Sequence, residues 1–159
     1  MIIARYALNG LPTSILTVAG IGNFPAFSGQ MYGRNNVTVS SRKDIGPIPP
    51  GRYFIVNRQS GGRLGAITDF GLKNFYGTDR SVWFALYKED WQIGDSVFVE
   101  GVKRGAFRLH PVGPRGLSEG CITLCQQSDF DYLKEALMNT TMMTVPCSSF
   151  KAYGTITVT

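Results

Sequence analysis

Short runs of alternating or consecutive apolar residues recur at 14–18, 36–39, 52–57, 82–87, 96–99, 107–109, 121–124 and 153–158, punctuated by Gly, Pro, Asn and Asp. That pattern predicts strands. One stretch keeps a helical period instead. Phe130, Leu133, Ala136 and Leu137 fall on one face, Ser128 and Asp129 offer capping and first-turn acids, and the last turn should end near Asn139. With 19 Gly and 8 Pro the chain is rich in turns, which fits a mainly antiparallel sandwich or barrel better than a helical bundle. The expected fold is therefore mainly β, with one or two helices. No repeat, low-complexity tract or linker interrupts it, so residues 1–159 are read as one domain.

Composition narrows the picture. The chain is 43% hydrophobic and 17% charged, the balance of a globular protein. At 159 residues it can bury about two-thirds of its unfolded surface, so neither metal nor disulfides are needed to supply a core. Lys and Arg number 16 against 11 Asp and Glu, for a net charge of +5, which suits an anionic partner. Nucleic acid is disfavoured, because Arg5, Arg34, Arg42, Lys43 and Arg52 are scattered and there is no finger spacing or RNA-binding aromatic motif. Asn9, Gly10 and Pro12 break the apolar N-terminus, so it does not read as a signal peptide. No run approaches the roughly 20 apolar residues of a membrane span, and no membrane insertion is expected.

The chemistry concentrates between Phe107 and Leu124, which holds the single His of the chain. A strand should end at His110, a Gly/Pro-rich loop follows, and a second strand should start near Cys121. Both side chains then project from neighbouring strand ends toward one cleft. A thiol of ordinary pKa is only a few per cent thiolate at neutral pH and needs a base, and that base has to be His110. Gly120 leaves the approach to the nucleophile open, so the N–H groups of Gly120 and Cys121 are candidates for an oxyanion hole. The plain alternative is a turn glycine beside a buried strand cysteine. Ser118 is placed to hold the loop through its own backbone, and a main-chain carbonyl is a natural partner for the second nitrogen of His110.

Ser118-Glu119-Gly120-Cys121-Ile122-Thr123-Leu124 resembles the Ser-His-Gly-Cys-Ile-Arg-Leu signature of the L,D-transpeptidase, or YkuD-type, family. Upstream, Gly46-Pro47-Ile48-Pro49-Pro50-Gly51-Arg52-Tyr53-Phe54 is similar to that family's Thr-Pro-x-Gly-x-Phe/Tyr segment. Glu119 stands where a second His is common, and Thr123 where Arg or Asn is common. The variant motif, the Leu109-His110-Pro111-Val112-Gly113 run and the short chain resemble a narrower branch, the type VI secretion effectors with an L,D-transpeptidase fold.

The resemblance implies a Cys121 thioester on diaminopimelate of a peptidoglycan stem tetrapeptide, with loss of the terminal D-Ala. Water completes a carboxypeptidase reaction, and a D-amino acid or another amine completes an exchange or cross-link. It implies no metal or other cofactor. The implied partners are peptidoglycan stem peptides, D-amino acids, a secretion apparatus and a cognate immunity protein. The implied route is synthesis in the cytoplasm and action in the periplasm of a target bacterium. Two alternatives stand beside it: a peptidoglycan-binding module without catalysis, and a housekeeping cross-linking enzyme.

Arg115, Arg108 and Arg104 cluster around the motif, and a guanidinium suits the free carboxylates of a stem peptide. Arg115, in the loop between the catalytic pair, is preferred, and Glu119 joins the candidates for substrate contact. Tyr32, after the aromatic and Gly-rich segment 24–33, is a candidate for lining the groove or for a core or turn role. In an oxidising compartment a Cys125–Cys147 disulfide would leave Cys121 free. A zinc site of His110, Cys121, Cys125 and Cys147 has poor spacing.

Overall fold

A computed structural model describes residues 1–57 and 82–159. In chain order its elements are β1 (Ile2–Tyr6), β2 (Ser14–Val18), β3 (Gly22–Phe27), β4 (Gly51–Asn57), β5 (Phe84–Lys88), β6 (Ser96–Val99), β7 (Val102–Gly105), β8 (Arg108–Pro111), β9 (Ile122–Leu124), α1 (Gln127–Met138), β10 (Met143–Thr144) and β11 (Lys151–Val158). Eight strands follow one another in the order β1-β2-β3-β9-β8-β5-β4-β11, and β11 returns to β1, closing a barrel-like sheet. β10 extends the sheet beside β11, and β6 and β7 form a separate hairpin. The mainly β expectation with a short helix late in the chain is met, and the antiparallel rule has two exceptions. β1–β11 and β8–β9 are parallel.

Alternation explains the core. Tyr53 and Ile55 of β4, Phe84 and Leu86 of β5, Leu109 of β8 and Ile122 and Leu124 of β9 join one buried cluster, which Phe130, Leu133 and Leu137 of α1 complete. β4 and β5 are buried on both faces. Phe54, Val56, Ala85 and Tyr87 face outward into a second cluster with Val145 and Ala152. Two-sided burial is why these segments read as nearly continuous apolar runs.

The structure corrects several expected elements. Residues 36–39 are not a strand: Val37–Val39 form a single 3-10 turn, because the Asn36 side chain accepts the Thr38 N–H at 3.1 Å and bends the backbone locally. Val82 lies before β5, which starts at Phe84. α1 begins at Gln127 after an extended Gln126, so Ser128 lies inside the first turn with Asp129. β1, β3, β7 and β10 had no counterpart among the expected strands. β3 contains Pro25, a residue that argues against a strand, yet its carbonyl accepts the Cys125 N–H at 2.9 Å. Among the described residues no helix is long and apolar enough to cross a membrane.

Candidate active site

β8 and β9 run parallel, with Leu109 opposite Ile122, His110 opposite Thr123 and Pro111 opposite Leu124. Leu109 and Ile122 point into the core, so the alternate residues Arg108, His110 and Thr123 share the other face. Cys121 immediately precedes β9, two positions before Thr123. The strand ends expected to meet therefore do not lie side by side. A parallel return places the end of β8 and the start of β9 at opposite ends of the pair, and loop 112–121 carries the chain back. The strands are so short that His110 and Cys121 are still diagonal neighbours, with an ideal Cα separation of about 8 Å.

His110 is buried, and its neighbours set the chemistry of its two nitrogens. Nδ1 is 2.7 Å from the Pro111 carbonyl, which can only accept, so Nδ1 carries the proton of the neutral ring. Nε2 keeps the lone pair and lies 3.3 Å from Thr123 Oγ1. Trp83 stacks on the imidazole with ring centroids 4.1 Å apart and planes 16° from parallel. The ring is thus fixed by its own strand, by the next strand and by an aromatic cover.

The Cys121 sulfur lies 3.8 Å from the Ala106 carbonyl. Burial pushes its thiol up to about 11; a backbone hydrogen bond and the positive charge of Arg108 pull it down, while the charges of Glu119 and Asp95 add to the rise. The net direction favours the neutral thiol over the thiolate in the resting site. Arg108 itself is held by Asp95 in a two-pronged ion pair, Nη1 to Oδ1 at 2.5 Å and Nη2 to Oδ2 at 2.7 Å. Its guanidinium is engaged inside the protein.

Buried side chains hold the loop around the nucleophile. Ser118 Oγ donates to the Cys121 carbonyl at 2.8 Å and accepts the N–H groups of Gly29 at 3.3 Å and Gly120 at 3.4 Å. Ser28 Oγ donates to the Gly120 carbonyl at 3.1 Å. Arg104, only 4% exposed, donates to the carbonyls of Ser40, Gly46, Pro47 and Glu119. It is a clamp between two loops rather than an exposed anion binder.

Arg115 and Glu119 are exposed in the return loop. Tyr32 is exposed in the 3-10 turn Met31–Gly33. Arg34, whose guanidinium lies 3.9 Å over the Phe27 ring, donates to the Gly116 carbonyl at 3.0 Å and draws the Tyr32 segment to the loop that carries Arg115. Cys125 and Cys147 are free thiols, like Cys121, so the disulfide considered for them is absent. Among the described residues no cluster of His, Cys, Asp or Glu could hold a metal ion.

Residue types in the sequence point to His110, Cys121, Ser118, Glu119 and the arginines, but not to every side chain that surrounds them. Trp83, Asp95 and Ser28 carry no chemical signature of their own, and Thr123 stands out only as a departure from the family motif. Thr123 would have been found from the β8–β9 register alone, and Ser28 lies 92 positions from its partner Gly120.

No curated protein and no solved structure matches the chain. The Tlde1 domain model does match, over residues 22–148, a span that takes in the whole of this site. The chain belongs to the Tlde1 domain family, that of the type VI secretion L,D-transpeptidase effectors.

Proposed function

We propose that the protein is a cysteine enzyme that cuts the stem tetrapeptide of peptidoglycan between diaminopimelate and the terminal D-Ala, through a thioester on Cys121. One observation carries this reading: the tautomer of His110 set by Pro111 leaves Nε2 basic, on a short parallel strand pair where Cys121 is the diagonal neighbour.

Nε2 takes the thiol proton as Sγ attacks the carbonyl of diaminopimelate. The oxyanion that forms is met by the main-chain N–H of Cys121; the Gly120 N–H, also expected as a donor, is taken by Ser118 Oγ at 3.4 Å. The C–N bond then breaks, the imidazolium gives its proton to the departing D-Ala nitrogen, and the acyl group stays on sulfur. In the second half His110 deprotonates water or the amine of a free D-amino acid, which attacks the thioester. The proton returns to sulfur as the C–S bond breaks. Water gives a tripeptide and an amine gives an exchanged or cross-linked stem. The high thiol pKa fits a base that works during attack rather than a preformed ion pair.

In this reading the protein is delivered by a type VI apparatus into the periplasm of a target bacterium, and an immunity protein guards the producer. Incubation with purified muropeptides, with and without free D-amino acids, tests the chemistry by mass. Loss or replacement of the terminal residue, abolished in a folded Cys121→Ala variant, is the expected result. A parent protein that binds stem peptides and leaves their mass unchanged would be a binding module.

A further inference from the structure

We infer that Ser28 is a positioning residue for acyl transfer: by holding the Gly120 carbonyl it sets the plane of the Gly120–Cys121 peptide, and with it the direction of the Cys121 N–H toward the developing oxyanion. This rests on the thioester chemistry proposed above.

The need for such a residue follows from Gly120. Its φ is +115°, and glycine has wide freedom in ψ, so the peptide joining it to Cys121 could rotate with little penalty. The described residues contain no cis peptide, so the Gly120 carbonyl and the Cys121 N–H point in opposite directions from one rigid plane. Fixing the carbonyl therefore aims the N–H. Ser118 cannot do this, since it holds the Cys121 carbonyl and the Gly120 N–H, which belong to the two flanking peptides.

Ser28 is itself fixed. Its side chain is fully buried, and its hydroxyl accepts the Ile48 N–H at 2.8 Å, leaving its own proton for the Gly120 carbonyl at 3.1 Å. Its backbone is held on both sides by Asn35, whose Oδ1 accepts the Ser28 N–H at 2.9 Å and whose N–H donates to the Ser28 carbonyl at 2.7 Å. Asn35 is in turn anchored by the Tyr6 hydroxyl at 2.5 Å and the Leu11 carbonyl at 2.8 Å. The oxyanion donor is thus tied through Ser28 and Asn35 to Tyr6 of β1 by a chain of buried hydrogen bonds. A preorganised donor costs no reorientation at the moment of reaction.

The test compares two reactions of the same sulfur. Transfer of the stem peptide passes through an oxyanion; alkylation by iodoacetamide, read at the Cys121 peptide by mass, does not. In Ser28→Ala the kcat for D-Ala release should fall about tenfold to a hundredfold, within the range for a misplaced oxyanion donor. The melting temperature should fall modestly, because the buried Ile48 N–H and Gly120 carbonyl lose their partner, while KM and the alkylation rate stay close to the parent. An unchanged kcat would overturn the inference, and so would a parallel fall in alkylation, which would mean general collapse of the site.

Should Ser28→Ala not fold, the parent protein labelled with ¹⁵N-cysteine is titrated with a stem-peptide aldehyde, which forms an oxyanion-bearing thiohemiacetal. The Cys121 amide, assigned by its loss in Cys121→Ala, should move strongly downfield, and an amide that does not move overturns the inference. A parent that turns over no muropeptide removes the functional reading itself. An active parent matched by an equally active Ser28→Ala removes only the role of Ser28.

Discussion

His110 and Thr123 are cross-strand partners, and the Thr123 hydroxyl stands 3.3 Å from Nε2 of the imidazole. A hydroxyl can donate to Nε2 when the ring is neutral and accept from it once the ring has taken a proton, so one contact suits both halves of the proposed proton shuttle. Valine can do neither. Thr123 is fully buried, so Thr123→Val should keep the shape of the site and cost about 1–2 kcal/mol of stability for the unmatched polar group. Turnover of muropeptides should fall about tenfold, while Thr123→Ser should stay near the parent. Steady-state kinetics of the two variants side by side decide the point: equal activity in Thr123→Val would remove Thr123 from the shuttle.

Cys121 should be slow to alkylate at neutral pH and faster as pH rises, with its midpoint near 11 rather than near the ordinary thiol value. Arg108 pulls that value down, so Arg108→Met should move the midpoint higher. Glu119 pushes it up, so Glu119→Gln should move it lower. The same shift links to stability. The folded thiol pKa lies above that of the unfolded chain, so its contribution is complete below about pH 8.5 and is lost as pH rises toward 11. Burial raises the phenols of Tyr6 and Tyr53 as well, and their contribution is lost at still higher pH. Denaturant midpoints measured from pH 7 to 11 should therefore decline, and a flat profile would contradict these buried acids.

How much of this was legible follows from what each residue's pattern depends on. β2 was legible as an apolar run bounded by turn residues, although its alternation is imperfect: Ser14 points inward and Ile15 outward. β1 alternates too, but Ile3 points outward and hides the period. At 36–39 the apolar alternation was real, and a single Asn36 side chain overrode it. His110 and Cys121 were legible because a nucleophilic thiol needs a base and the chain holds one His. What surrounds them depends on strand register and chain return, which no local pattern encodes. A parallel β8–β9 pair makes Thr123 the partner of His110, and the fold turns Arg104, read as one of three candidates for the free carboxylates of a stem peptide, into a buried clamp.

Gly120 and Arg104 should be energetically coupled. A Cβ at Gly120 would stand 2.5 Å from Arg104 Nη2 and 2.9 Å from Phe107 Cε1, at a φ of +115° that L residues rarely adopt. Gly120→Ala should cost about 2–4 kcal/mol and most of the activity. Arg104→Met should also destabilise, since it leaves several buried carbonyls without their donor. With the guanidinium gone one of the two clashes is relieved. The double variant should then be more stable than the sum of the single costs by about 1 kcal/mol, as measured in a double-mutant cycle of chemical denaturation. Additive costs would mean that backbone strain and Phe107 account for the whole penalty.

Closure of the barrel rests on a close approach of two strands at Gly154. Ile2 pairs with Gly154 at the start of the parallel β1–β11 ladder, which runs to Tyr6 and Val158. A Cβ on Gly154 would lie 2.0 Å from the Ile2 carbonyl oxygen, with the Ile2 backbone carbon and nitrogen at 2.7 Å and 2.8 Å. Every one of these atoms is backbone, so no side-chain rotation relieves the overlap, and β1 has to move away from β11. Gly154→Ala should therefore cost at least about 3 kcal/mol, whereas Thr157→Ala on the same strand, where the side chain is partly exposed, should cost under about 1 kcal/mol. If the variant still folds, hydrogen exchange should find the amides of β1 deprotected while those of β8 and β9, separated from β11 by β4 and β5, keep their protection. Uniform loss of protection along the whole barrel would mean instead that β1, β8 and β9 unfold as one unit.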